Sequence, residues 1–319
     1  MPETKAEAWT VGRLLSATNG FLADKGSSTP RLDAELLLAR VLALTKVQLY
    51  VNFERAVSPD ELDQYRELVR RRARHEPVAY ILGEKEFYGL KLKTTPAALI
   101  PRPETELLVD QALRLAKKNW PGEALQVADI GCGGGAIALA LAAILHEAEI
   151  SAVDISPEAL DLARANALSL GRRLTFFEGD LAAPLAGRRF HLICANLPYI
   201  PETMMASLMS DVGAHEPHLA LNGGPEGLAL IRRLLPDAPN LLAEGGRLIL
   251  EIWPDSLAAL TDSAGRANLA VEEVLPDLAG HKRIVTLLKN SKQTGLVAGG
   301  VAVEVDGHRQ AGDMGGVGV

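Results

Sequence analysis

The stretch QVADIGCGGGAIALALAAIL, residues 126–145, has the form of a buried strand, a glycine-rich turn and an apolar helix. Glycines at 131 and 133–135 let the backbone bend tightly and let a ligand approach without interference from a Cβ atom. In open α/β sheets such turns lie in the crevice beyond the carboxyl ends of the strands. A turn that is glycine-rich only for packing is the alternative, and GCGGG is shorter than the GxGxxG of dinucleotide sites.

Strand-length apolar runs alternate with helical stretches after this segment. The runs are EISAVDI, LTFFEGD, FHLICAN and GRLILEI, and the helical stretches include SPEALDLARANALSL. This alternation predicts an α/β domain with a doubly wound sheet at residues 101–290. The last two runs, LAVEEVL and HKRIVTLLK, have no helix between them, so we expect an antiparallel pair at one edge of the sheet.

The chain before this domain predicts a helical bundle. Capping patterns at residues 28–30 and 58–61 begin two helices, and each continues with apolar residues at helical spacing. Similar spacing predicts helices at about 10–23 and 47–53. We therefore expect a helical domain at residues 1–77.

Two further segments differ from their surroundings. Residues 78–100 carry aromatic and branched side chains around Gly83 and Gly89, which predicts a β-hairpin linker between the two domains. Residues 291–319 are rich in glycine and show no clear periodicity, which predicts a disordered tail.

The composition is that of an ordinary globular protein, with 319 residues, 48% of them hydrophobic, and a net charge of -7. No run approaches the roughly 20 apolar residues that span a bilayer, and the first residues lack the apolar stretch of a secretory signal. We therefore expect a cytoplasmic protein that does not contact membranes. Cys132 and Cys194 are the only cysteines and the histidines form no HExxH pattern, so we expect no metal site.

Acidic residues end the second and third strands of the predicted sheet. Asp154 can accept hydrogen bonds from both hydroxyls of a ribose, a role that NAD sites and S-adenosylmethionine sites share. An N-cap role is the alternative for Asp154, but Ser156 already suits that role. Asp180 can accept from an adenine amino group and Leu181 can cover the ring, although Gly-Asp is also a common turn.

The run FHLICAN ends in Asn196, and Leu197, Pro198 and Tyr199 follow it. An Asn that leaves a buried strand in front of a proline and an aromatic residue presents an amide oxygen, a main-chain carbonyl and a ring face at one point. A capped turn is the alternative for a single Asn-x-Pro, but the preceding strand ends match as well. Here the sequence resembles the amino-methyltransferases with a [DNS]-P-P-[YF] motif, which methylate planar nitrogens with S-adenosylmethionine.

Flanking motifs narrow the resemblance to one family. The upstream motifs EPVAYILGEKEFYGL and LIPRPETELLV and the downstream motifs HEPHLALNGGPEGLALIRRLL and LAEGGRLILEI resemble the HemK/PrmC family of release-factor glutamine methyltransferases. The resemblance covers about residues 10–289. It implies a Rossmann-like class I S-adenosylmethionine-dependent methyltransferase domain with an N-terminal helical substrate-recognition domain. It also implies that the IPRPETE loop, with Arg102 and Glu104, lies over the cleft and contacts the substrate.

The resemblance also assigns roles to residues 196–199, here called the Asn196 loop. The Asn196 side chain and the main-chain carbonyl of Leu197 would each accept an N–H of the substrate amide, and Tyr199 would give a flat face or a wall of the pocket. Leu197 stands in place of the first proline of the motif, but it still supplies a carbonyl, and Pro198 favours an extended conformation before it. The expected cofactor-binding residues are Asp129, Gly131, Cys132, Gly133, Gly134, Gly135, Asp154, Asp180, Leu181 and Asn196.

Three hypotheses for function follow. The first is methylation of the side-chain amide nitrogen of the glutamine in the Gly-Gly-Gln motif of peptide-chain release factors, with ribosome association only through them and no direct contact with nucleic acid. The second is adenine N6-methylation of RNA or DNA, since Asn-Leu-Pro-Tyr also resembles rRNA adenine dimethylases and the arginine-rich residues 66–74 are basic enough to read RNA. A solvated helix face or a docking patch is the commoner reading of such a run. The third hypothesis, a binding module without activity, conflicts with the intact Asn196 and Asp154.

Overall fold

Among the described residues, five helices precede the first strand, and three of them begin at a residue whose side chain caps the helix. The computed structural model describes residues 8–207 and 209–290. Thr10, Thr45 and Ser58 each accept a hydrogen bond from the backbone N–H three residues later, which satisfies a donor that the first helical turn leaves free. The helices are α1 (Val11–Asp24), α2 (Pro30–Leu42), α3 (Lys46–Val51), α4 (Pro59–Arg72) and α5 (Val78–Leu82).

The helical region has an apolar core of its own. Leu22, Leu37 and Leu38 are completely buried in it, and Tyr65 is buried with its hydroxyl donating to the carbonyl of Ala34 at 3.3 Å. Complete burial of one such leucine side chain contributes about 1.5–3 kcal/mol. The predicted helices are confirmed, with bounds that differ by a few residues.

An ion pair is buried between two of these helices. Arg72 on α4 donates from Nε to Oδ2 of Asp33 on α2 at 2.6 Å, and the two side chains are 4% and 6% exposed. Arg72 also lies 3.4 Å from the Asp211 carboxylate, far along the chain. The same arginine therefore joins the helical region to the region that follows it.

Other arginines of residues 66–74 pair with acidic residues of the same region. The pairs are Arg66 with Asp63 at 3.3 Å, Arg70 with Glu67 at 3.1 Å and Arg71 with Glu76 at 2.5 Å. Nearby carboxylates thus offset much of the positive charge that makes this run conspicuous in the sequence.

A short antiparallel hairpin follows the helices, formed by β1 (Glu84–Phe87) and β2 (Leu90–Lys93). Tyr88 and Gly89 occupy its turn with φ of 50° and 70°, as a tight two-residue hairpin turn requires. The hairpin is shorter than the predicted linker at 78–100. Residues 78–82 form α5, which Gly83 ends in the left-handed conformation at φ 73°, and residues 94–100 follow β2 without strand structure.

Seven strands form one sheet in the order β5-β4-β3-β6-β7-β9-β8. The neighbours from β5 to β7 are parallel, whereas β9 is antiparallel to both β7 and β8. The predicted doubly wound sheet and its antiparallel edge pair are confirmed. The strands are β3 (Gln126–Ile130), β4 (Glu149–Asp154), β5 (Thr175–Glu178), β6 (Phe190–Ala195), β7 (Leu242–Glu251), β8 (Leu269–Pro276) and β9 (Lys282–Lys289).

Helices cover both faces of this sheet. Successive residues of a strand face opposite sides, so β3 contributes Val127 to one apolar core and Ala128 to the other. The helices are α6 (Glu106–Asn119), α7 (Ala136–Ile144), α8 (Pro157–Ser169), α9 (Ser210–Gly213), α10 (Ala229–Leu234), α11 (Ala238–Leu241) and α12 (Leu257–Arg266). Within residues 8–207 and 209–290, no helix combines the length and apolar character that crossing a membrane requires. The predicted tail at 291–319 lies outside the described residues.

We expect Arg72→Ala to lower the free energy of unfolding by about 3–5 kcal/mol, because it leaves the Asp33 carboxylate buried without its cation. Chemical denaturation followed by circular dichroism measures the change. The control is Arg70→Ala, which removes an exposed partner of Glu67 and should cost about 0–1 kcal/mol. Equal losses in the two variants would contradict this assignment.

Candidate active site

A cavity of about 270 Å³ opens at the carboxyl ends of β3, β4 and β6. The turn after β3, the ends of β4 and β6, the segment after the hairpin and part of residues 217–220 line it. In open α/β sheets ligands bind at this edge, beside the strand at which the order of the sheet reverses. The cavity is therefore the place where the candidate residues of the sequence should meet.

The glycine-rich turn forms one wall of this cavity. Gly131 and Gly133 have φ of 75° and 52°, a region that favours glycine. A Cβ on Gly131 would lie 2.7 Å from Cδ2 of Leu197, so a side chain there would push the Asn196 loop away. Gly135 precedes the first residue of α7. The residues of the turn that line the cavity are Gly131, Cys132, Gly133 and Gly134.

Asp129 lies beneath this turn, outside the cavity lining. Its carboxylate is completely buried and accepts the backbone N–H of Ala138 at 3.0 Å, while Oδ1 has no hydrogen-bond partner among the described residues. Burial raises the pKa of this carboxyl to about 7. In this structure Asp129 holds the start of α7, and a direct contact with the cofactor remains a prediction.

Asp154 reaches the cavity from the end of β4. Oδ2 accepts the N–H of Gly133 at 2.7 Å and Oδ1 accepts the N–H of Ser156 at 3.0 Å. Ser156, and not Asp154, caps α8 by accepting the N–H of Ala159 at 3.1 Å. The capping role does not account for Asp154, whose carboxylate instead fixes the glycine turn at the wall of the cavity.

Asp180 and Leu181 follow β5, and both line the cavity. Asp180 forms an ion pair with Arg233 of α10, a partner that the sequence does not predict. Leu181 has φ of 49°, in the left-handed region that residues other than glycine rarely adopt. The structure thus brings candidate cofactor-binding residues that follow or end β3, β4, β5 and β6 to one site.

Asn196 enters the cavity directly after β6, and its amide has one partner. Nδ2 donates to the Thr105 hydroxyl at 3.1 Å, and that hydroxyl donates to Oε2 of Glu251 at 2.8 Å. Among the described residues, neither Oδ1 of Asn196 nor the main-chain carbonyl of Leu197 accepts a hydrogen bond. Two acceptors on consecutive residues are thus left for a ligand.

Tyr199, which we expected to give a flat face or a wall of the pocket, does not line the cavity. Its hydroxyl donates to Oε1 of Glu251 at 2.8 Å, and the Arg283 guanidinium lies 6.0 Å from the centre of its ring. Burial and the Glu251 carboxylate raise the pKa of Tyr199 well above its usual range. Burial likewise raises the pKa of Glu251, which is completely buried.

A second glycine-rich segment, GGPEG at residues 223–227, packs against the Asn196 loop. The N–H of Gly223 donates to the carbonyl of Ile200 at 2.9 Å, and a Cβ on Gly223 would lie 2.7 Å from the carbonyl oxygen of Pro198. A Cβ on Gly227 would overlap the carbonyl oxygen of Tyr199. These glycines allow the two backbones to approach closely, a role that the sequence alone did not reveal.

The IPRPETE loop contributes one of its two predicted substrate residues to the cavity. Arg102 lines the cavity and forms an ion pair with Glu216, which is buried and accepts the N–H of Ile100 at 3.2 Å. Glu104 is exposed and does not line the cavity. Its contact with a substrate remains a prediction.

Sequence reasoning missed Thr105, Glu216 and Glu251. A signal existed for Glu251, because it ends the apolar run of β7 as Asp154 ends that of β4. Thr105 gave no such signal, since the hydrogen-bond partners of its hydroxyl, Asn196 and Glu251, lie far from it in the sequence.

A doubly wound sheet with this glycine turn, a strand-end acid and an Asn-x-Pro-Tyr loop in one cleft defines a class I methyltransferase that uses S-adenosylmethionine. Family models agree: residues 13–83 match the PrmC N-terminal domain and residues 127–215 match a methyltransferase domain. The chain belongs to the family of release factor glutamine methyltransferases.

Individual relatives support this membership. The release factor glutamine methyltransferase of Geobacter sulfurreducens is 46% identical over 78% of this chain and 86% of its own. That of Rhodopirellula baltica is 40% identical over 91% of this chain and 100% of its own. A solved structure of the hMettl16 catalytic domain in complex with a 3'UTR hairpin has a TM-score of 0.52 and covers 71% of this chain and 83% of its own. At 16% identity, this likeness shows the shared fold alone.

We expect Asp154→Ala to weaken binding of S-adenosylmethionine about 10- to 100-fold, because it removes the strand-end carboxylate and releases the N–H of Gly133. Isothermal titration calorimetry measures the dissociation constant. Asp161→Ala on α8 is the control, since Asp161 is exposed and, among the described residues, forms an ion pair with Arg164 on the same helix. Unchanged affinity in Asp154→Ala would show that this carboxylate does not bind the cofactor.

Proposed function

We propose that this protein methylates the side-chain amide nitrogen of the glutamine in the Gly-Gly-Gln motif of peptide-chain release factors and thereby modulates translation termination. The observation that carries the proposal is the pair of acceptors at the cavity, Oδ1 of Asn196 and the carbonyl of Leu197, which matches the two N–H groups of a primary amide. The names of the relatives supply the identity of the substrate.

The residues of the cavity fit S-adenosylmethionine. The turn at residues 131–134 exposes backbone that a Cβ would cover, Asp154 offers a carboxylate for a ribose, and Leu181 offers an apolar side chain for the adenine ring. Asp180 lies beside Leu181 and can accept from the adenine amino group. When bound, the cofactor supplies an electrophilic methyl group on a sulfonium.

The chain must make a poor nucleophile reactive, because the lone pair of an amide nitrogen is delocalised into its carbonyl. Asn196 and the carbonyl of Leu197 each accept one N–H of the substrate, which polarises the nitrogen and orients its lone pair. As positive charge develops on that nitrogen, the two oxygen dipoles stabilise it without reorganising. Alignment provides much of the remaining rate acceleration. No general base is needed, since the excess proton can leave after transfer.

The surroundings of the cleft suit a protein substrate. Arg102, paired with Glu216, and the exposed Glu104 lie on the IPRPETE loop, which we assign to substrate binding. We assign substrate recognition to the helical domain at residues 1–77. The arginines of residues 66–74 are largely engaged in ion pairs, so no observation favours direct binding of nucleic acid or the adenine alternative.

Two consequences for the cell follow from this substrate. The protein would meet the ribosome only through the release factor. It would act in the cytoplasm, where translation terminates.

The substrate is tested with methyl-labelled S-adenosylmethionine and three acceptors: a release factor, its Gly-Gly-Gln glutamine-to-alanine variant and unmodified rRNA. We expect label on the wild-type release factor alone. Scintillation counting measures the transferred label, and mass spectrometry of the Gly-Gly-Gln peptide locates it. Label on rRNA but not on the release factor would overturn the proposed substrate.

We expect Asn196→Ala to lower kcat about 10²- to 10³-fold, because one of the two acceptors for the substrate amide is lost. The dissociation constant of S-adenosylmethionine should stay within a few-fold, as measured by calorimetry. Asn240→Ala, which removes an exposed asparagine on α11, is the control. Transfer by Asn196→Ala at nearly the wild-type rate would disprove the two-acceptor mechanism.

A further inference from the structure

A chain of hydrogen bonds runs from the Asn196 amide into the protein interior and ends on Glu251. Nδ2 of Asn196 donates to Oγ1 of Thr105 at 3.1 Å, Oγ1 donates to Oε2 of Glu251 at 2.8 Å, and the Tyr199 hydroxyl donates to Oε1 at 2.8 Å. Glu251 is completely buried and Thr105 is 4% exposed. Glu251 therefore has no access to solvent, and Thr105 has very little.

We infer that Thr105 and Glu251 are positioning residues, which fix the Asn196 amide in the one orientation that turns its Oδ1 toward the substrate. The inference rests on the proposed function, because it deepens the role given there to Asn196. Thr105 lines the cavity beside Asn196 and Glu251 does not, and the role inferred for both residues is exerted through the Asn196 amide.

Counting protons gives the direction of each bond. An ionised carboxylate only accepts hydrogen bonds, and a threonine hydroxyl has one proton to donate. Because Thr105 gives that proton to Glu251, its oxygen can only accept from the Asn196 amide. The amide group must then present Nδ2 to Thr105. A reversed amide would set its oxygen against the lone pairs of Thr105 and offer the substrate a donor where an acceptor is needed.

The Tyr199 hydroxyl completes this arrangement from the other side. It uses its single proton on the second oxygen of Glu251, so each carboxylate oxygen accepts from one hydroxyl. The other charged groups that act on this carboxylate are Arg283, which favours ionisation, and Glu104, which disfavours it. Burial, the largest influence, and Glu104 raise the pKa of Glu251, whereas the two hydroxyl donors and Arg283 act in the opposite direction and favour the ionised form that this hydrogen-bond network uses.

The fold brings together the three side chains of this hydrogen-bond network, which come from distant parts of the polypeptide. Asn196 follows β6, Glu251 ends the neighbouring parallel strand β7, and Ala195 lies opposite Leu250 in that pairing. Thr105 ends the short 3-10 helix Pro103–Thr105, directly before α6. The threonine of IPRPETE thus reaches the catalytic loop from a part of the chain 91 residues away.

The test compares Thr105→Val, which keeps the shape of threonine but lacks the hydroxyl, with Thr105→Ser, which restores the hydroxyl. We expect Thr105→Val to lower kcat about 10- to 100-fold, since the amide is no longer held in its productive orientation. We expect Thr105→Ser to retain kcat within about threefold and both variants to bind S-adenosylmethionine within about threefold of wild type. Thr286→Val is the matched control, because Thr286 is also buried and its hydroxyl accepts from Gln111 away from the cleft.

Glu251→Gln tests the coupling along the chain, because glutamine carries a donor and no charge and no longer dictates the direction of the Thr105 bond. We expect about a tenfold loss of kcat in the otherwise wild-type protein and little further loss in Thr105→Val. The wild-type rate should also fall at low pH as Glu251 is protonated, and Glu251→Gln should lack this limb. Additive losses, or equal losses in Thr105→Val and Thr105→Ser, would overturn the inference.

A measurement independent of activity separates this inference from the proposed function. The side-chain amide resonances of Asn196, assigned by their absence in Asn196→Ala, should shift in Thr105→Val and Glu251→Gln and return close to the wild-type position in Thr105→Ser. Unchanged resonances in all variants would refute the positioning role. If the wild-type protein labels no release factor while these shifts occur, the proposed substrate fails and the positioning of Asn196 stands.

Discussion

The parallel pairing of the central strands is the constraint on which the site depends. Ala195 at the end of β6 lies opposite Leu250 near the end of β7, so the next residues, Asn196 and Glu251, come close enough for the Thr105 hydroxyl to bridge them, although they are far apart in the chain. A slip of one residue would turn the side chains of a strand to the opposite face and separate amide from carboxylate. Main-chain hydrogen bonds of the sheet, more than the loops, therefore set the distances between the reactive groups.

Local signals in the sequence are sufficient for most of the fold and for the residues at strand ends. The capping pattern at Ser58 predicts the start of α4, and polar residues that end apolar runs predict that Asp154 and Asn196 share a cleft. The partners of such residues could not be predicted, because tertiary structure alone selects them. Thr105 and Glu251 are 146 positions apart, and no local pattern relates them.

Tertiary context also overrides two local patterns. Residues 78–82 have the composition of a strand, yet they form a helix that is anchored by the Tyr80 hydroxyl, which donates to the carbonyl of Ala98 at 2.8 Å. The arginine run looks like one basic surface, yet Arg72 is buried against Asp33. Composition cannot distinguish an arginine that pairs internally from one that meets a partner, since both are charged at neutral pH.

Leucine at position 197 shows how the catalytic loop is held without the first proline of the motif. A proline there would fix φ of the residue. Instead, the Leu197 side chain is 2% exposed and packs against Gly131, and downstream the N–H of Ile200 donates to the carbonyl of Leu221 at 3.1 Å. Packing and main-chain pairing thus fix both ends of the loop. Because leucine and proline carry the same main-chain carbonyl, the substitution changes what holds the loop and leaves unchanged what it offers to a substrate amide.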